Sequence, residues 1–288
     1  MTNRWNIIYR GPLSSCNYSC GYCPFAKTKN TKAELADDAE KLSRFVDWVA
    51  RQTDREIGIL FTPWGEALIH RYYQEAIRRL SHLSNVYRVA IQTNLSVQVD
   101  FMGECDLNTA ALWTTYHPTQ VSFDKFLSRC KELDKMGARY SVGVVGFTDA
   151  EEDIKKLRNT LSPNTYIWIN AYKRDPDYYT EEAIQIFEKV DPHFRTNTVY
   201  HPSKGKPCRA GKSSFTIDGE GDVRRCHFVD EPSLGNIYQD GELLASKLSS
   251  RACSIDRCGC HIGYVNLDSL GLDQVYGDGI LERIPTSF

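Results

Sequence analysis

Six short runs in the first two-thirds of the chain are dense in aliphatic, β-branched and aromatic residues. They are Trp5–Tyr9, Ile57–Phe61, Tyr87–Gln92, Ala111–Thr115, Tyr140–Val145 and Tyr166–Asn170, and each predicts a strand. Between the first two, KAELADDAEKLSRFVDWVARQ places Leu35, Leu42, Phe45, Val46 and Val49 at helical spacing. SFDKFLSRCKELDKM does the same with Phe123, Phe126, Leu127, Cys130, Leu133 and Met136. Six β-then-α units in succession imply a parallel sheet with helices outside it. Right-handed crossovers curl such a sheet, and six units fall short of the eight that close a TIM barrel. The expected fold is therefore α/β, a partial (β/α)6 TIM-like barrel.

The pattern changes near Asp191-Pro192. Beyond it glycine and cysteine become frequent and no long helical period is visible. Ser214–Ile217, the turn DGEGD and Val223–Cys226 read as a β-hairpin. The expectation is a barrel over residues 1–195, then a small cysteine-rich domain with a hairpin over 196–288.

Composition narrows the classes. A formal charge of -2 gives no concentrated basic face for a general grip on nucleic acid. The densest basic stretch, AKTKNTK from Ala26 to Lys32, reads as a solvated loop. No apolar run approaches the roughly 18–20 residues that span a bilayer, and MTNRWNIIYRG is too polar for a signal peptide. A cytoplasmic protein without membrane or nucleic-acid partners is expected. Its ten cysteines would then be reduced, and the clustered ones would be metal ligands.

The first cluster is CNYSCGYC, with Cys16, Cys20 and Cys23 just after the first strand. Iron–sulfur clusters normally take four cysteine thiolates, so three leave one iron open to another ligand. Structural zinc normally uses C-x2-C pairs with two further ligands. The second cluster is Cys208, Cys226, Cys253, Cys258 and Cys260. A hairpin returns its ends to one place, so Cys208 and Cys226 could share a site, and iron–sulfur or four-thiolate zinc both suit the spacing. Cys130 reads as core and Cys105 as an incidental loop thiol. His201 and His227 read as hydrogen-bonded or solvated rather than as ligands.

The C-x3-C-x2-C loop, with Tyr22 before its third cysteine, resembles the signature of the radical S-adenosylmethionine superfamily. The resemblance implies a [4Fe-4S] cluster on Cys16, Cys20 and Cys23, with S-adenosylmethionine on the open iron. It also implies contacts to that cofactor from Tyr22 and from Gly65 and Glu66, which match the family's Gly-Gly-Glu-Pro segment with Trp64 and Ala67 replacing its first and last residues. Thr93 and Asn94 are similar to the family's Thr-Asn-Gly, and Thr115 falls where relatives surround the ribose and carboxylate. Gly143 and Gly146 resemble the glycines that let adenine lie against the backbone, with Trp168 on its other side.

The cysteine-rich tail resembles a twitch domain, the shortened SPASM domain, implying one auxiliary iron–sulfur cluster, expected to be [4Fe-4S] in type, among the five cysteines. In the family, one electron breaks a carbon–sulfur bond to give methionine and a 5′-deoxyadenosyl radical, which takes a hydrogen atom from substrate. The resemblance thus implies a radical enzyme of oxidoreductase type in a biosynthetic pathway, fed electrons by a donor such as flavodoxin or ferredoxin. Its substrate would be a small molecule or short peptide, since the first strand, starting at Trp5, leaves no room before it for a peptide-recognition domain. The alternatives are a SPASM-type peptide maturase forming thioether or carbon cross-links, and a non-catalytic electron carrier. Tyr9, Arg10, Tyr116, His117, Tyr172, Lys173 and Arg174 end their strands at the expected barrel mouth and are the candidates for substrate contact or proton transfer.

Overall fold

The computed structural model describes residues 4–23, 25, 28–241, 243–277 and 281–288. All six expected strands form: β1 (Arg4–Arg10), β2 (Glu56–Phe61), β3 (Val86–Thr93), β4 (Ala110–Thr115), β5 (Arg139–Gly146) and β6 (Ile167–Ala171). They pair in parallel in chain order. The crossovers carry α1 (Lys32–Ala50), α2 (Arg71–Ser81), α3 (Phe123–Met136) and α4 (Glu151–Thr160), and β6 is followed by α5 (Glu181–Glu188). One expectation fails. The link from β3 to β4 holds a short 3-10 turn, Asp100–Glu104, in place of a helix, because that segment carries no helical period.

Local chemistry sets the helix ends. Thr31 and Glu34 form a reciprocal capping box at the start of α1. Ser122 accepts from the Lys125 N–H to cap α3, which stops at Gly137 in a left-handed conformation.

The remaining strands are β7 (His201–Pro202), β8 (Pro207–Cys208), β9 (Ser214–Asp218), β10 (Asp222–Arg224), β11 (Gly235–Asn236), β12 (Arg251–Ala252) and β13 (Arg257–Cys258). The expected hairpin is β9–β10. It does not stand apart from the barrel, because β9 pairs in parallel with β1 from Asn6↔Ser214 to Arg10↔Asp218. The sheet therefore runs β11-β10-β9-β1-β2-β3-β4-β5-β6.

Strand alternation divides the core in two. Ile7, Ile59, Ile91, Leu112 and Val142 pack against the helices, with Phe45, Ile77, Phe126 and Ile154. Ile8, Leu60, Ala90, Ala111, Trp113 and Trp168 face the other way and meet Cys208, Cys258, Ile262, Tyr264 and Leu267. The C-terminal third thus covers the sheet face that the helices leave bare. Each large side chain buried there is worth about 1.5–3 kcal/mol. Among the described residues no helix is long and apolar enough to cross a membrane.

Candidate cofactor site

The loop after β1 carries the first three cysteines and is fixed from both sides. At its start Asp38 of α1 accepts from the Leu13 N–H (3.3 Å), the Tyr72 hydroxyl (2.8 Å) and the Tyr73 hydroxyl (3.3 Å). Farther on, Asn30 Oδ1 accepts from the Ser14 and Ser15 N–H groups, both at 2.8 Å. The basic stretch is therefore more than a solvated loop: Asn30 is a clamp, while Lys29 and Lys32 are exposed. Ala26 and Lys27 lie outside the described residues.

The segment after β2 meets the same loop. The Trp64 N–H donates to the Leu13 carbonyl (3.3 Å) and the Glu66 N–H to that of Ser15 (3.1 Å). A Cβ on Gly65 would sit 1.8 Å from the Ser15 carbonyl oxygen, so only glycine permits the contact. Glu66 is buried and accepts from the Leu68 N–H (3.1 Å), the Thr93 hydroxyl (2.8 Å) and the Asn94 N–H (2.6 Å). Burial outweighs these donors and pushes its carboxyl up to about 7. The Asn94 amide then donates to Asn17 Oδ1 (3.0 Å), and Gln120 takes the Ser19 N–H at 2.8 Å.

The three thiols face one cleft of about 220 Å³, together with Glu66, Thr93, Asn94, Thr115, His117 and Trp168. Backbone N–H groups of Tyr18 and Phe25 point at the sulfurs of Cys16 and Cys23, both at 3.4 Å. Burial raises the Cys16 thiol, and Cys20 and Cys23 are close enough to raise it further. His117 Nδ1 lies 3.6 Å from Cys20 Sγ. Burial lowers His117 to about 4, so the ring is neutral near pH 7, and its Nδ1 shares a hydrogen bond with the Tyr22 hydroxyl at 2.7 Å. Among the described residues no three Cys, His, Asp or Glu side chains converge on the scale of a single metal ion.

Several expected residues lie elsewhere. Tyr22 lines an adjacent cavity of about 420 Å³ with Pro118, Thr119, Val145 and Phe147. Tyr9 stacks on Phe45 at 4.3 Å and Tyr116 packs on Phe126 at 5.0 Å, so both belong to the helix-facing core rather than the mouth. Gly143 and Gly146 leave no free backbone. An added Cβ would meet the Trp168 ring at 1.9 Å and Ile169 at 2.7 Å respectively. Tyr172 packs on Phe147 and Tyr178. Arg10 is at the mouth, donating to the Thr62 carbonyl (2.8 Å) and lying 4.1 Å over the Trp64 ring. Arg174 reaches the Tyr22 carbonyl at 3.0 Å.

The five C-terminal cysteines come together. Cys258 feels Cys226, Cys253, Cys260 and Cys208, and burial with these neighbours pushes its thiol up to about 12. Burial likewise raises Cys226 to about 11. Cys260 is accessible to solvent, and Lys173, Arg283 and Arg10 are near enough to act on its thiol. Lys173 ties β6 to this loop, donating to the carbonyls of Asn197 (2.8 Å) and Gly259. Burial lowers its ammonium to about 8. Cys130 is buried core as expected, whereas Cys105 is also buried in the core rather than loose in a loop. His201 Nε2 donates to the Thr196 carbonyl at 2.8 Å, and among the described residues His227 Nε2 has no partner.

Sequence reasoning did not single out Asn30, Asp38, Gln120, Trp113 or Arg283. Each acts on a segment distant in the chain, and nothing local marks them.

No protein-family model matches this chain, and no curated protein matches it. Solved structures do. Streptococcus suis SuiB bound to S-adenosylmethionine superposes with TM-score 0.57 at 14% identity, covering 86% of this chain and 66% of that one. Polyhistidine-tagged anSMEcpe with bound AdoMet gives 0.55 at 13%, covering 85% and 77%. Native anSMEcpe with bound AdoMet and the Kp18Cys peptide gives 0.55 at 12%, covering 85% and 81%. At such identities the likeness is one of fold, and the chain has the partial-barrel fold of radical S-adenosylmethionine enzymes.

Proposed function

We propose that this protein is a radical S-adenosylmethionine enzyme whose first cluster is held by Cys16, Cys20 and Cys23. The observation that carries the reading is the pinned three-thiol loop opening on one cleft with Glu66, Thr93, Asn94 and Thr115. A cubane presents a different iron to each thiolate, so the sulfurs need not converge on one point. When bound, the cluster and S-adenosylmethionine supply one-electron cleavage of a carbon–sulfur bond, giving methionine and a 5′-deoxyadenosyl radical that takes hydrogen from substrate.

The chain's own residues supply orientation and a dry site. Thr93, Asn94 and Thr115 offer polar groups at the cleft. Glu66 holds the β2 and β3 ends together, and its Leu68, Thr93 and Asn94 donors leave it little freedom to act as a ligand. The apolar slot beside Tyr22, Val145 and Phe147 has the character that a purine ring needs. His117, neutral at pH 7, keeps Tyr22 and Cys20 in register.

We assign the five C-terminal cysteines to one auxiliary cluster, cubane in type, four of them serving as ligands. It would take the electron left on a substrate radical while the substrate releases a proton, completing a two-electron oxidation of a small molecule. A peptide substrate is the second reading, favoured by the anSMEcpe structure that holds AdoMet and a peptide.

The test is anaerobic reconstitution followed by iron and sulfide analysis of wild type and a Cys16→Ala/Cys20→Ala/Cys23→Ala variant. About eight irons falling to about four, with dithionite-dependent 5′-deoxyadenosine lost, is expected for two cubanes. Four irons falling to none would remove the auxiliary acceptor, and no iron in wild type would overturn the assignment.

A further inference from the structure

Near the C-terminus, Glu282 and Arg283 are buried against the residues that form the wall of the cleft. The Glu282 carboxylate meets Arg139 at 2.6 Å and Arg88 at 3.4 Å. Its carbonyl accepts the Ser141 hydroxyl at 2.7 Å, and Ser141 Oγ accepts the Trp168 indole N–H at 3.2 Å. Arg283 follows at 3% exposure, with its guanidinium carbon 4.4 Å from the Trp168 ring centroid and 5.8 Å from that of Trp113. Trp113 and Trp168 stand edge-to-face at 5.5 Å, and both line the cleft.

Two features separate Arg283 from an ordinary plug. Its φ of 51° is left-handed, a conformation that non-glycine residues keep only where the surroundings over-determine it. Among the described residues it makes no ion pair with a carboxylate and its Nε has no hydrogen-bond partner, although the guanidinium does hydrogen-bond the Tyr276 side chain. Asp191 acts on it through space, its own oxygens taken by the Tyr166 hydroxyl and the Ile169 N–H. A buried cation without a counter-ion in contact is costly, and aromatic faces offset part of that cost. Gly143 also lies against Trp168, where a Cβ would strike the indole. The indole thus packs against a bare backbone and beside a guanidinium, with its N–H held by Ser141.

We propose that Arg283 is a positioning residue for the cofactor cleft, acting through Trp168 and Trp113 so that S-adenosylmethionine meets a preformed indole wall. The proposal rests on the reading that this cleft takes S-adenosylmethionine. Arg283→Met keeps much of the volume and removes the cation; Arg283→Lys keeps the cation.

The readouts are calorimetric affinity of cluster-loaded protein for S-adenosylhomocysteine, near-ultraviolet tryptophan dichroism, iron per chain and Tm. Loss of a desolvated cation–π contact predicts roughly 10-fold weaker binding and altered dichroism in Arg283→Met, with iron unchanged. Arg283→Lys should stay within about 3-fold of wild type. Should Arg283→Met fail to fold, Ser141→Ala releases the Trp168 N–H with little change in volume, and about 5-fold weaker binding is expected. Wild-type affinity and dichroism in Arg283→Met, or in Ser141→Ala where that variant is needed, would overturn the proposal. A merely structural role would lower Tm and leave affinity alone. Failure of the wild type to bind S-adenosylhomocysteine would overturn the reading of the cleft instead, and the dichroism would still report whether Arg283 holds the indoles.

Discussion

Glu66 couples pH to the integrity of the cofactor site, and Glu66→Gln isolates the effect. The side chain is 2% exposed. Burial raises its carboxyl from 4.5 to about 7 despite the opposing Asn94, Thr93 and Leu68 donors. The unfolded chain releases this proton near 4.5, whereas the folded chain holds it until about 7. Between those values the unfolded state binds fewer protons, so stability falls as pH rises, and the loss is complete above the folded value. At 1.36 kcal/mol per tenfold change the cost is about 3 kcal/mol. Glutamine has no proton to lose there, so the variant lacks this slope. Relative to wild type it should gain up to about 3 kcal/mol between pH 4.5 and 8, or roughly 6 °C in Tm for a chain of this size. The assay is thermal unfolding of both proteins, cluster-free and in parallel, across that range. Other titrating groups cancel in the difference. Parallel pH profiles would refute the reasoning, since they would mean that three donors suffice to keep the carboxylate ionised without penalty.

Three further outcomes follow from the same geometry. Gly65→Ala puts a methyl into the Ser15 carbonyl, so the first loop should move and, on the proposed two-cluster reading, roughly four irons be lost from it while those assigned to the tail stay; full iron by colorimetric assay would contradict this. Lys173→Met leaves the carbonyls of Asn197 and Gly259 without their donor, and about 3 kcal/mol of stability should go in a denaturant melt, with iron lost from the tail first. Because burial lowers Lys173 to about 8, the unfolded state binds more protons above that pH; wild type should gain on Lys173→Met as pH rises from 8 toward 10.5. Gly143→Ala drives the Trp168 indole from its seat, and S-adenosylhomocysteine should bind about tenfold more weakly by calorimetry.

What the sequence discloses depends on whether the physics is local. The six strands are legible because each apolar run is long enough to be buried on both faces, and the hairpin because Gly221 supplies the left-handed turn at φ 86°. The thiol sets are legible because like residues at short spacing have few other uses. The mouth residues show the limit. Trp5, Ile7 and Tyr9 share one face of β1 by alternation, so Tyr9 and Arg10 cannot both face the mouth, and the same holds for Tyr116 and His117. The glycines of β5 are a different matter. Their lack of a side chain signals that something approaches closely, but sequence cannot say that the visitor is Trp168 rather than a ligand. Nor can it place Arg283, whose role exists only because the sheet folds over the end of its own chain. Residues that open on the cleft from a short motif are thus the ones spacing can suggest, and residues that hold those residues still are the ones only the fold assembles.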